Sequence, residues 1–296
     1  MQNTDPFFSI IVPTFNSSKF IKRCLNSIIN QSFKNYEVIF IDDFSTDNTI
    51  SIIKSYKKKN FYIYRLKKNS GPGTARNLGI KKAIGKYISF LDADDFWFKK
   101  KLEIVHQYTY CNKTEIFCHN EILFKNGKKD RLLKYKINQN NFYEHLLLVD
   151  NQLSTSAVTV RKEYIIKKKI FFNESRRYFS VEDYDYWLNL TFHGAKIKFI
   201  DRYLGYSSIH VSNISNKSVH FENSLYVIYR HCYYIQKISH DKNYIWRKAK
   251  IRFDLNYIKF LLKRKKFYLA LSKLIDLSIN SNILFLKFMI KKIIKI

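Results

Sequence analysis

Three rounds of a short apolar run followed by an amphipathic stretch fill the first hundred residues, and this alternation leaves few folds open. "FFSIIVP" (7–13) is β-branched and stopped by Pro13, which reads as a buried strand. "NSSKFIKRCLNSIINQS" then opens with Asn and Ser as candidate caps and places Phe20, Ile21, Cys24, Leu25, Ile28 and Ile29 on one helical stripe. "YEVIFID" (36–42) and "STDNTISIIKSYKKK" repeat the pattern. So do "FYIYRL" (61–66) and "GPGTARNLGIKKAIG", and "KYISFL" (86–91) supplies a fourth strand. Strand and helix in strict alternation predict a parallel sheet wound with helices, an α/β fold.

Such sheets bind ligands beyond the carboxyl ends of their strands. Each predicted strand ends there in polar residues: Thr14 and Asn16, then Asp42 and Asp43, then 69–76 with Arg76, then Asp92 to Asp95. Any one of these is ordinarily a solvated loop. Four together, carrying carboxylates, an arginine and glycines, point to a ligand site.

The fourth strand runs straight into three carboxylates in "FLDADD", and like charges this close repel. Asp92 and Asp94 are two apart, so on an extended chain they project to one side. They can share a hard divalent cation such as Mg²⁺ or Mn²⁺, completed by water and a substrate diphosphate. Asp42 and Asp43 can accept hydrogen bonds from a base or ribose, or cap the following helix; one of the pair is expected in each role. In "NSGPGTARNLG" the spacing matches neither G-x-G-x-x-G nor a P-loop. Gly71 and Gly73 still permit close backbone approach, and Arg76 can reach a phosphate or form a surface ion pair.

Beyond residue 100 the pattern is mixed. "KLEIVHQYTY" reads as helix, "EIFCHNEILF" as strand, "NQLSTSAVTVRK" as a strand entering a helix, and "EDYDYWLNLTFHGAKIKFID" as a helix ended near Gly194 and followed by a strand. After residue 218 Gly and Pro vanish, and 219–296 reads as a basic helical region. Its basic and apolar residues interleave, as in helices lying on an anionic membrane surface, although a hairpin packed on the domain has the same pattern. The net charge of +29 suits an anionic partner, but lysine on solvated faces accounts for much of it. No apolar run reaches the ~18 residues of a spanning helix. The N-terminus lacks the basic and apolar regions of a signal peptide. Cys24, Cys111, Cys118 and Cys232 form no CxxC pair and no zinc spacing, so reduced thiols in the cytoplasm are expected.

"SIIVPTFN", "VIFIDDFSTDNT", "NSGPGTARNLG" and "FLDADD", in this order and spacing, resemble family 2 of the glycosyltransferases. The resemblance is specific over 7–98 and looser to about 216. It implies the GT-A fold: a three-layer α/β/α nucleotide-binding domain with a mainly parallel sheet over 1–218, followed here by the helical region 219–296. It implies a nucleotide-sugar donor, usually UDP-linked, and a divalent metal. By position, Pro13, Thr14 and Asn16 would border the nucleotide pocket, Asp43 with Asp42 would contact the base, and Arg76 would lie nearby. Asp92 would contact ribose or metal, and Asp94 would bind the metal. Phe44 departs from the family, which commonly has Gly there. The family's catalytic base precedes a helix in the second half. "SVEDYDYWLNL" matches it, with Asp183 as the base, Glu182 as runner-up and Asp185 as a third choice; without the resemblance these would read as helix caps. "YSSIHVSNIS" resembles a later segment of the family, in which His210 would meet the metal or the diphosphate.

The expected activity is inverting transfer of a sugar to a hydroxyl of a glycan or lipid-linked glycan, in bacterial surface polysaccharide or lipooligosaccharide synthesis. The expected place is the cytoplasm or the inner face of the membrane. The competing classes are a metal-dependent nucleotidyltransferase, which would release diphosphate from a nucleoside triphosphate, and a basic nucleic-acid-binding protein. No nucleic-acid-reading motif supports the latter.

Overall fold

The structure is a computed structural model and describes residues 5–110, 114–135, 141–210, 219–233 and 242–280. Its first half is the predicted alternation: β1 (Phe8–Thr14), α1 (Ile21–Ile29), β2 (Tyr36–Asp42), α2 (Thr49–Ser55), β3 (Phe61–Arg65), α3 (Pro72–Lys82) and β4 (Tyr87–Phe90). These four strands are parallel, in the order β3-β2-β1-β4. Register levels the strand ends. Thr14 lies opposite Asp42, the Asp43 N–H donates to the Thr14 carbonyl at 2.8 Å, and the Leu66 N–H donates to the Asp42 carbonyl at 2.8 Å.

Along each central strand, side chains alternate between two cores, as the pleat requires. Phe8, Ile10, Val12, Val38, Phe40 and Tyr87 face α1, α2 and the helix α4 (Lys101–Tyr108). Ile11, Ile39, Ile41, Ile88 and Phe90 face α3 and the helices of the second half. Two apolar faces covered by helices make the three layers.

Beyond β4 the sheet becomes mixed. A two-residue strand β5 (Phe96–Trp97) precedes α4. Then come β6 (Ile116–Lys125), β7 (Lys128–Leu133), α5 (Phe142–Val149), β8 (Val158–Arg161), α6 (Lys162–Lys168), α7 (Glu182–Phe192) and β9 (Ile197–Ile209). The sheet continues from β4 as β8-β6-β9-β5, with β7 paired to β6. The β4–β8, β8–β6, β6–β7 and β9–β5 pairs are antiparallel, whereas β6–β9 is parallel. Parallel pairing therefore dominates only where βα units repeat.

The region after 218 is helical: α8 (Val219–Tyr233), α9 (Lys242–Lys263) and α10 (Phe267–Asn280). Its packing is continuous with the first part. Val227, Ile228 and Cys232 of α8 and Ile245, Ala249 and Phe253 of α9 join the same core as α3 and α7. Only the far half of α9 and α10 form a separate cluster, around Leu255, Ile258, Leu261, Ala270 and Leu277. No described helix is long and apolar enough to cross a membrane. The apolar-basic stretch beyond 280, residues 211–218 and Cys111 lie outside the described residues.

Candidate functional site

The predicted caps of α1 and α2 have other partners. Helix α1 starts at Ile21 without a side-chain cap. Asn16, at φ +46, instead crosses to the loop after β2, where its Oδ1 accepts from the Thr46 N–H at 2.8 Å. The first βα loop is thus tied to the second, and Pro13, Thr14 and Asn16 line one wall of a cleft.

The paired aspartates after β2 separate into two roles. Asp42 is fully buried; its Oδ2 accepts from the Ser45 N–H at 3.1 Å and pairs with Arg65 at 3.2 Å. It shapes the loop and does not line the cleft. Asp43 does line it, and accepts the N–H groups of Ser70 (2.6 Å) and Gly71 (2.8 Å). Burial raises its pKa, and those two bonds oppose the rise. Gly71 sits at φ +88, a conformation closed to most side chains, so the turn into α3 depends on it. Phe44 has φ +68, which explains why a glycine suits this position. Its ring is 42% exposed, with the Arg65 guanidinium 5.0 Å from its centroid.

Arg76 joins the two halves of the site. On α3 and 5% exposed, it donates from NH1 to Glu182 Oε1 at 2.7 Å and from NH2 to Asp92 Oδ1 at 2.8 Å. Burial alone would lower its pKa, but Asp92 and Glu182 outweigh that and hold it charged. The end of β4 is thereby locked to the start of α7. Gly73, one turn earlier, permits this approach: a Cβ there would meet the Asn173 carbonyl at 3.2 Å and Glu182 Cγ at 3.3 Å.

The three carboxylates after β4 diverge. Asp92 pairs with Arg76. Asp94 Oδ2 meets His210 Nε2 at 2.7 Å, both side chains 24% exposed, and the imidazole stacks on Phe20 at 4.5 Å. Asp95 turns inward, accepting from Ser156 Oγ at 2.6 Å and the Ser208 N–H at 2.7 Å. Burial, then Asp94, pushes Asp95 well above the usual carboxylate range. Ser156 also accepts the Asp92 N–H at 3.1 Å, so one hydroxyl organises the whole turn.

The carboxylates of α7 diverge as well. Glu182 holds Arg76. Asp183 faces the cleft, taking Asn151 Nδ2 at 2.9 Å and its neighbour's N–H, Tyr184, at 2.8 Å. Burial raises both carboxyls, Arg76 opposing the rise. Asp185 turns away, bonding His231 of α8 at 3.1 Å and Asn189 at 3.0 Å.

The result is one cleft of about 590 Å³ whose wall includes Pro13, Thr14, Asn16, Asp43, Arg76, Asp92, Asp94, Glu182, Asp183 and His210. Of the predicted set, Asp42 and the third-choice base Asp185 lie outside the lining. Phe20, Thr155 and Phe179 also line it with no chemical motif to mark them, as do Asn69 and Ser180 at the heads of "NSGPGTARNLG" and "SVEDYDYWLNL". Among the described residues no three His, Cys, Asp or Glu side chains form a ready metal cage. Carboxylate oxygens and an imidazole on an open wall nevertheless suit a hard divalent cation completed by phosphate and water.

A family model described as "Glycosyl transferase family 2" matches residues 9–172. An uncharacterized glycosyltransferase of Rickettsia prowazekii is 33% identical over 223 residues, 72% of this chain and 67% of that protein. Staphylococcus aureus TarS, named as a poly(ribitol-phosphate) β-N-acetylglucosaminyltransferase, is 44% identical over 100 residues, 32% of this chain and 18% of its own length. The chain likewise spans only 16 to 19% of the length of several rickettsial relatives. The structure of TarS 1–349 in complex with UDP-GlcNAc superposes with a TM-score of 0.64 at 23% identity, covering 88% of this chain and 73% of that one. A Pyrobaculum calidifontis mannosyltransferase in complex with GDP-Man and Mn²⁺ gives 0.62 at 14% identity, covering 95% and 77%. At these identities the superpositions establish the fold, which is the GT-A type.

Proposed function

Since the chain belongs to glycosyl transferase family 2, we propose that its cleft binds a UDP-linked sugar and passes the sugar, with inversion, to a hydroxyl of a glycan acceptor. The observation that carries this reading is the convergence of four strand ends and the start of α7 on one cleft, with Asp43, Arg76, Asp92, Asp94, Asp183 and His210 on its wall. A hexosyl unit and a UDP carrier are supported by the UDP-GlcNAc complex of TarS. Bacterial surface polysaccharide or lipooligosaccharide is the proposed acceptor class, and TarS, named for a poly(ribitol-phosphate) substrate, supports it. Family membership supports this reading over a nucleotidyltransferase or a nucleic-acid-binding protein.

In this reading Pro13, Thr14, Asn16 and Asp43 hold the nucleotide, and Asp42 shapes the loop beneath it. Asp183 accepts the proton of the attacking hydroxyl, and its burial makes it a better base than a solvated aspartate. Glu182 is committed to Arg76, which leaves Asp183 as the base. Asp94 and His210, with Asp92, would hold Mn²⁺ or Mg²⁺. Bound there, the ion supplies positive charge opposite the departing diphosphate. Contact with an anionic membrane at the cytoplasmic face belongs to the same proposal: basic residues 263–266 adjoin the exposed Phe267, Tyr268 and Leu271.

The test is Asp183→Asn, assayed for transfer from UDP-sugars and, in parallel, for UDP binding by calorimetry. Transfer should fall by about a thousandfold or more, with UDP affinity nearly unchanged. Normal turnover by this variant would remove Asp183 from the role of base.

A further inference from the structure

A second cleft, of about 800 Å³, adjoins the first and shares Asn69, Gly71, Pro72, Phe179 and Glu182 with it. Its size is that of a small-ligand site. Its walls are the loop into α3, the segment 173–179 and the start of α8.

Its charge is one-sided. Lys68, Arg176 and Arg177 line it, all exposed. Two carboxylates also line it, but both have partners: Glu182 pairs with Arg76, and Glu174 accepts from Asn77 Nδ2 at 2.8 Å. None of the three cations has a carboxylate partner among the described residues, whereas Arg65, Lys134 and Lys250 each have one and Arg76 has two.

The basic wall is also held in place. Arg176 and Arg177 lie in a 3₁₀ turn, Arg176–Tyr178, whose Tyr178 ring is buried and whose hydroxyl meets Arg230 of α8. Asn223 Nδ2 donates to the Phe179 carbonyl at 2.9 Å, and the Arg177 guanidinium sits 4.7 Å from the Tyr226 ring centroid. The Arg177 guanidinium, held on this ring, loses little freedom on binding an anion. Guanidinium groups suit phosphate and carboxylate oxygens in particular.

We propose that this cleft binds an anionic portion, phosphate or carboxylate, of the acceptor glycan. Glu182 borders both clefts and Asp183 follows it in the chain, so an acceptor seated here lies beside the wall that carries the base. The inference rests on the glycosyl-transfer reading, and it makes the preferred acceptor a charged polymer.

The experiment measures binding of three fluorescent probes to the full chain: a glycerol-phosphate oligomer, an oligogalacturonate and an uncharged dextran oligomer of equal length. At least one anionic probe should bind, and the dextran should bind about tenfold more weakly or worse. Whichever anion binds better identifies phosphate or carboxylate as the favoured group. Arg176→Ser/Arg177→Ser should weaken the anionic probe about tenfold, less at high salt. Lys68→Ser, on the opposite wall, should weaken it independently of the 3₁₀ turn. Lys58→Ser/Lys59→Ser removes equal charge ahead of β3, at the amino end of the strand whose carboxyl end leads into the cleft, and should change nothing. Lack of anionic-probe binding by the unmodified protein would overturn the proposal. So would equal losses in the cleft variants and the Lys58/Lys59 variant, because binding would then follow net charge alone. UDP binding with Mn²⁺ is read on the same samples. Its retention in the cleft variants is expected, and its absence from the unmodified protein would count against the glycosyl-transfer reading instead.

Discussion

Removing the Arg76 side-chain charge tests how the site is held together. Arg76→Met keeps the apolar stem of the side chain but removes the guanidinium and leaves Glu182 buried without its cation. Breaking a buried ion pair from one side costs about 3–5 kcal/mol. Asp92 is one-third exposed, so water screens its loss and it adds little. Most of the cost therefore belongs to Glu182, which makes it pH-dependent. Burial already pushes the Glu182 carboxyl up, and Arg76 is the main group drawing it down. Without Arg76 its folded pKa rises further above the unfolded 4.5. Between those two values the native state binds more protons than the unfolded chain, so stability falls as pH rises through the window. Urea unfolding followed by tryptophan fluorescence should give a larger loss near pH 8 than near pH 5. Adding Glu182→Gln should restore about 2 kcal/mol or more near pH 8, since a neutral amide needs no cation. A loss under about 1 kcal/mol, or one equal at both pH values, would refute the argument that Arg76 neutralises a buried carboxylate.

Lys101 is fully buried, its Nζ 3.2 Å from Thr159 Oγ1 and 3.6 Å from the Trp97 ring centroid. Burial pushes its pKa well below 10.5, so between the two values the unfolded chain binds the extra proton and stability rises with pH. Lys101→Met should flatten that rise in thermal melts above neutral pH; an unchanged slope would exclude Lys101 as its source. At the other end of the molecule, Phe267→Glu/Tyr268→Glu should abolish co-flotation with anionic vesicles, which neutral vesicles should not support in any variant. Flotation undiminished by the substitutions would separate α10 from membrane contact.

The reach of sequence reading depended on how local each signal was. Periodicity within about ten residues marked β1 to β4, α1 to α4 and α7. Beyond β4 it marked β6, β8 with the helix α6 after it, and the strand β9 after α7, but β5, β7 and α5 were not anticipated. β5 has two residues, too few for any period. β7 opens with four charged residues, is almost wholly exposed, and only Asn126-Gly127, both at positive φ, signalled its hairpin. The helical character of 219–280 was legible from the loss of Gly and Pro; its merger with the main core was not, because Val227 and Phe253 join the core of α3 and α7 only through long-range packing.

At the site, the sequence alone determined that carboxylates and an arginine would gather at the carboxyl edge of a parallel sheet, since strand direction and strand-end position follow from local pattern. Only the tertiary structure decided what each one does. Asp42 went to Arg65 and Asp43 to the cleft; Asp95 went inward while Asp94 met His210, 116 residues on. Arg76 found Glu182 across 106 residues, and Asp95 found Ser156 across 61. Adjacent aspartates carry the same local signal. They differ in which distant donor the packed layers bring within hydrogen-bonding distance, and burial makes that pairing obligatory.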